Sequence, residues 1–125
     1  MATIRAYTTI EQSRKLAEIL PLESADQTWE RITSLDAAGE LQYGHEYKHN
    51  GDMPFQLYSG IGVPCWSLAT LFSVLPHIQE FYPTLEKIND KYVCRYKSSG
   101  IWTNGDNPVD ACVTMIIKLH EQKIL

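Results

Sequence analysis

The stretch Leu41-Gln42-Tyr43-Gly44-His45-Glu46-Tyr47-Lys48-His49-Asn50-Gly51-Asp52 decides the reading of this chain, because it carries two incompatible signatures. By spelling, residues 45–49 match H-E-x-x-H, the zinc signature in which one helical face supplies both histidines and the glutamate stands beside a metal-bound water. By pattern, the segment is a strand. Leu41, Tyr43, His45, Tyr47 and His49 alternate with polar or small residues at period two, and Asn-Gly after such a run is a strong hairpin signal. A strand still puts residues four apart on one face, so His45 and His49 can share a metal, but Glu46 then falls on the opposite face and cannot act as general base.

Working outward, the hairpin is expected to pair 41–49 with 53–58 across Asn50-Gly51, with Pro54 confining the second arm to a sheet edge or a bulge. Upstream, Thr8 and Thr9 precede Ile10-Glu11-Gln12, a capping-box start that predicts a helix over about 9–20, stopped by Pro21. Residues 22–40 are mixed, with a short strand around Trp29 and Ile32 and a polar connection over Ser34 to Gly39. Downstream of Gly60-Ile61-Gly62, Pro64 is expected to open an apolar helix reaching Leu75, in which Leu68, Leu71, Phe72 and Leu75 follow helical spacing.

A second hairpin follows, Pro83 to Ile88 and Lys91 to Lys97 about an Asn89-Asp90 turn. Tyr92, Cys94 and Tyr96 alternate with Val93, Arg95 and Lys97, which predicts a sheet with one wet face. Ile101 to Thr103 adds a short third arm. Asn107 as N-cap, Pro108 at the first helical position and Asp110 in the first turn then mark a terminal helix with a stripe of Val109, Cys112, Val113, Ile116, Leu119 and His120. The expected architecture is a single α+β domain over 1–125, about three helices packed on a small, mostly antiparallel sheet built from two hairpins.

Composition excludes several classes. With 125 residues, 44% hydrophobic and 21% charged, the chain is globular and long enough to bury a core without metals or disulfides. Three cysteines, widely spaced and forming no C-x-x-C pair, suit a reducing cytoplasm. The N-terminus has no apolar leader, and no stretch approaches the roughly 20 apolar residues of a membrane span. Residues 1–62 carry five Lys/Arg against nine Asp/Glu while 63–125 carry six of each, and no cationic run exceeds Arg14-Lys15. Such a distribution disfavours binding to a phosphate backbone.

Each candidate constellation has an ordinary reading beside it. A zinc site on His45 and His49 needs a third ligand, for which His77, Glu80 and His120 are the candidates; the plain alternative is a polar, partly aromatic strand face. Cys65 at the start of the central helix has the setting of an activated thiol, yet its apolar neighbours make it core filler, as Cys94 and Cys112 are by their place on inward faces. Gly60-Ile61-Gly62-Val63-Pro64 has the outline of a phosphate cradle but lacks a third glycine, and Pro64 removes an amide donor. No catalytic set and no cofactor site is evident. The tyrosine-rich segment with Tyr43, Tyr47, Phe55 and Tyr58 is the expected binding surface, since aromatics with polar tips suit a half-exposed protein interface.

Three further stretches carry a resemblance: Thr9 to Leu20 continuing through Pro21-Leu22-Glu23-Ser24-Ala25-Asp26, Pro64-Cys65-Trp66-Ser67-Leu68-Ala69, and Asp106-Asn107-Pro108-Val109-Asp110-Ala111-Cys112 with Lys118-Leu119-His120-Glu121. In these the chain resembles small uncharacterised phage and prophage proteins of gut Bacteroidales. The likeness spans the two ends and the central helix, about half the chain, and leaves out the middle hairpin. It implies a mobile-element protein in the cytoplasm of a bacterial host, and it transfers no catalytic or binding residue. The expectation is therefore a non-enzymatic accessory protein that contacts a host or phage protein, self-association into a homo-oligomer being a second mode. The rival is a small zinc-dependent hydrolase built on the HEYKH motif.

Overall fold

The computed structural model describes residues 6–35, 41–47 and 63–125, with 30–35 and 41–47 described by their backbone. The chain forms two compact units, residues 9–66 and residues 67–125 together with the N-terminal segment through Thr8.

In the first unit, α1 (Ile10–Ala17) begins at a capping box: Gln12 N donates to Thr9 Oγ1 (3.1 Å), and Thr9 N donates to Gln12 Oε1 (3.0 Å). The start is the predicted one; the end comes three residues early. Glu18 caps the helix, and Leu20 N still bonds Leu16 O at 2.8 Å in a closing turn. Pro21 forbids continuation, because its ring disfavours helical backbone at the residue before it. Leu16 and Ser13 face inward, and α1 packs on the edge strand of this unit's sheet.

That sheet has the order β2-β1-β3, all antiparallel, with β1 (Gln27–Leu35) in the centre, β2 (Leu41–Tyr47) and β3 (Val63–Cys65). Two expectations need correction here. Residues 22–40, read as mixed with one short strand, contain a nine-residue central strand, irregular between Ile32 and Leu35. Pro64-Cys65, expected to open the central helix, instead belongs to a strand, Val63-Pro64-Cys65, paired with Gln27–Trp29. Pro64 is tolerated because β3 lies at an edge, where a missing amide donor costs no ladder bond. Of the strand expected over 41–49, residues 41–47 are extended as predicted and pair with β1; residues 48–49, the Asn50-Gly51 turn and the arm 53–58 lie outside the described residues. Trp66 closes the unit, fully buried, its Nε1 donating to Ser24 Oγ at 2.9 Å.

The second unit begins at α2 (Leu68–Val74), whose N-cap is Ser67: its Oγ accepts from Thr70 N at 3.3 Å. The helix therefore starts four residues after Pro64, at the first side chain able to satisfy its free amides. A second antiparallel sheet follows in the order β4-β5-β6, formed by β4 (Pro83–Ile88), β5 (Lys91–Tyr96) and β6 (Ile101–Gly105). Asn89, in the β4–β5 turn, takes the left-handed conformation (φ 56°) that asparagine tolerates.

The terminal helix α3 (Pro108–Glu121) is capped as read, with Asp110 N donating to Asn107 Oδ1 at 3.0 Å. Val109, Cys112, Val113, Ile116 and Leu119 are buried, as are Ala111 and Met115; His120, assigned to the same stripe, is exposed, its ring lying 3.1 Å from the Leu125 carbonyl. Two contacts fix α3 on the sheet. Thr103 Oγ1 donates to Ala111 O at 2.8 Å in the core. Gly105 lies so close beneath the first turn that an added Cβ would stand 2.7 Å from Asp110 Cβ and 2.9 Å from Ala111 N. Among the described residues, three α-helices and wholly antiparallel pairing make this the expected α+β class, with the strands divided between two three-stranded sheets.

Candidate functional site

The second sheet has one dry and one wet face, as its alternation requires. On β5, Cys94 and Tyr96 are buried beneath α3, whereas Val93 and Arg95 are only half-buried. The same division runs through β6, where Thr103 is inward and Trp102 and Asn104 are exposed. Register aligns Thr84, Arg95 and Trp102 in one cross-strand row. The wet face therefore presents a tryptophan beside an arginine, with Trp102 54% exposed.

Arg95 is held rather than free. Its Nε and Nη2 donate to Glu86 Oε1 and Oε2 at 3.0 and 3.1 Å, a two-pronged pairing across neighbouring strands. Lys97 Nζ stands 3.8 Å from the same carboxylate, and Thr84 Oγ1 donates to it at 3.2 Å. The hydrogen bonds from Arg95 hold the Glu86 carboxyl below its usual range against partial desolvation, with smaller contributions from Thr84 and Lys97. The result is a charge-paired brace with its guanidinium fixed next to an exposed indole.

A cavity of about 350 Å³ opens at the β5–β6 end of this face, lined by Arg95, Lys97, Ser98 and Trp102 among others. Its floor is the 97–100 turn. Ser99 Oγ donates to Tyr96 O and accepts from Ile101 N at 3.1 Å, so the side chain of one serine ties both strands to the turn. Ser98 and Gly100 both take positive φ (66° and 79°), the backbone that such a tight reversal needs. Behind the sheet, Tyr96 OH donates to Pro76 O at 2.6 Å. Burial, and then the neighbouring Cys94 sulfur, push its phenol up to about 12.

The residues singled out from sequence are distributed otherwise. His45, Glu46, Tyr43 and Tyr47 lie on β2, opposite Trp29, Thr28, Arg31 and Gln27 of β1 respectively. The backbone there is extended, not the helix on which H-E-x-x-H chemistry relies. His49, Phe55 and Tyr58, with the 60–62 glycine loop, lie outside the described residues. His77, Glu80 and His120, the third-ligand candidates, are exposed, and His77 packs edge-on against Tyr82 at 4.3 Å. Among the described residues no group of three or more His, Cys, Asp or Glu is placed to hold a metal ion. Cys65 is not at a helix N-terminus but in β3, fully buried and outside any disulfide, so the feature that would have activated it is missing.

The Trp102–Arg95–Thr84 row, with Glu86 paired to Arg95, is not legible in the sequence as an assembly. Its members were visible one strand at a time in the alternation of 91–97, but only the register of β4, β5 and β6 sets them side by side. Among the described residues no helix is long and apolar enough to cross a membrane. Comparison with known proteins returns no match: no family model, no curated protein and no solved structure is similar to this chain.

Proposed function

We propose that the chain is a non-enzymatic accessory protein of a phage or integrated element, acting in the cytoplasm of its bacterial host by contact with another protein. Its contact surface is the wet face of the second sheet, and Trp102 is the anchor. The observation that carries this reading is a large indole left 54% exposed on a braced sheet face beside Arg95. Tryptophan and arginine are the residues most enriched where binding energy concentrates, and a rigid anchor loses little entropy on docking. The cavity next to it supplies the concave feature into which a partner side chain inserts, and Arg95 with Lys97 favours an acidic group on that side chain. The mobile-element setting rests on the resemblance of the two ends and the central segment.

Capture from a Bacteroidales host lysate, run in parallel with wild-type and Trp102→Ala chains as bait, tests the reading. The wild type retains a stoichiometric partner and the variant loses it, with both baits melting at similar temperatures. Equal retention by both, or no stoichiometric partner on the wild type, overturns it.

A further inference from the structure

Two free thiols face each other across the core of the second unit. Cys94 is on β5, the central strand, and Cys112 is on the second turn of α3; both have zero solvent exposure. Their juxtaposition follows from the packing. Cys94 is opposite Thr103 in the β5–β6 register, and the Thr103 hydroxyl bonds the carbonyl of Ala111, the chain neighbour of Cys112. The two thiols act on each other there: the neighbouring Cys112 lowers the Cys94 thiol from its ordinary value, and the neighbouring Cys94, together with burial, raises that of Cys112. Core filling alone calls for small apolar groups, which alanine or valine would supply equally well. A second thiol within reach of the first adds a chemistry that those residues lack.

We propose that Cys94 and Cys112 are a reversible oxidation site that closes to an intramolecular disulfide, fastening α3 to the central strand of its sheet. The oxidant is a low-molecular-weight disulfide. The Cys94 thiolate attacks one of its sulfurs, breaking that S–S bond and releasing one small thiol, so that Cys94 carries a mixed disulfide. Cys112 then gives its proton to water and attacks Cys94 Sγ, and the second half of the oxidant leaves as a thiolate. Two electrons have passed from the protein to the oxidant, two S–H bonds are lost and one S–S bond is gained. Full burial of both sulfurs adds a gate: the reaction proceeds only while α3 is lifted from the sheet, during folding or a local opening. Cys65, buried in the other unit, has no part in it.

The test refolds the reduced, denatured full-length chain in a buffer of reduced and oxidised glutathione, then blocks remaining thiols with iodoacetamide under denaturing conditions. Intact mass is expected to show one blocked cysteine and a chain about 2 Da lighter for the bond formed, with a Cys94–Cys112 peptide pair in the digest. The same oxidant added to the already folded, reduced protein should form the bond at a rate lower by about tenfold or more, because opening then limits attack. Cys65→Ala refolded in parallel should give the same bond with no cysteine left to block. Recovery of three free thiols after refolding, a bond that includes Cys65, or equal rates from the folded and unfolded chain would overturn the proposal.

Discussion

At the scale of single residues, some side chains hold the second unit together and others are displayed on its surface. Trp102 belongs to the second group: truncation to alanine should cost about 1 kcal/mol or less in chemical denaturation, as expected for a surface position away from caps and core. Tyr96 belongs to the first. Replacing it with phenylalanine strands the Pro76 carbonyl and should cost about 1 kcal/mol at neutral pH. Tyr96 also predicts a pH dependence with a definite sign. Its phenol ionises near 12 when folded and near 10 when unfolded, so its contribution is complete below pH 10 and is lost as the pH rises towards 12. Across that window, wild-type stability should fall by up to about 1.4 kcal/mol per pH unit more steeply than that of Tyr96→Phe, measured by denaturant titration at each pH. Parallel slopes would place the phenol in water.

Elements were legible to the extent that their signals are local. The start of α1 and the cap of α3 were readable because a capping box and an Asn-Pro pair act within four residues, and the structure has both. The start of α2 is not legible locally: Pro64 has the look of a first helical residue, yet Val63-Pro64-Cys65 is held by a partner strand some 35 residues earlier in the chain. Length of β1 was hidden for the same reason: its pairings on both sides, not its own polar and charged composition, make it a strand. The site suffered most, since it exists only in the cross-strand register. At the end of α3, Lys123 adopts φ 61° and Ile124 N bonds Leu119 O at 2.9 Å, a helix-stopping arrangement that favours glycine at the left-handed position. Lys123→Gly should therefore stabilise the protein by about 0.5–1 kcal/mol. At the other end, Gly105→Ala should destabilise it, because the new methyl group meets Asp110 Cβ and the backbone of the first turn, none of which can swing aside. Thermal melts of the two variants should move in opposite directions, and a common direction would refute this account of how α3 is seated.

For the molecule as a whole, net charge −4 and a pI near 5.5 set the charge that a partner meets, while Arg95 and Lys97 give the wet face a local cationic edge. Binding that depends on this edge should weaken as salt rises and the pairing is screened. The HEYKH motif yields a separate prediction. Among the described residues no group of three or more His, Cys, Asp or Glu is placed to hold a metal ion, so protein purified without chelator should contain far less than stoichiometric zinc, and His49→Ala should leave that content unchanged. Elemental analysis giving one zinc per chain, lost on His49→Ala, would install the hydrolase reading instead. The most direct test of the central claim is the affinity of a purified partner for three chains: wild type, Trp102→Ala, and a Glu121→Ala control on the exposed end of α3. A loss of about thirtyfold or more is expected for Trp102→Ala, the scale of an interface hot spot, with the control unchanged. Equal affinity for all three chains would contradict it.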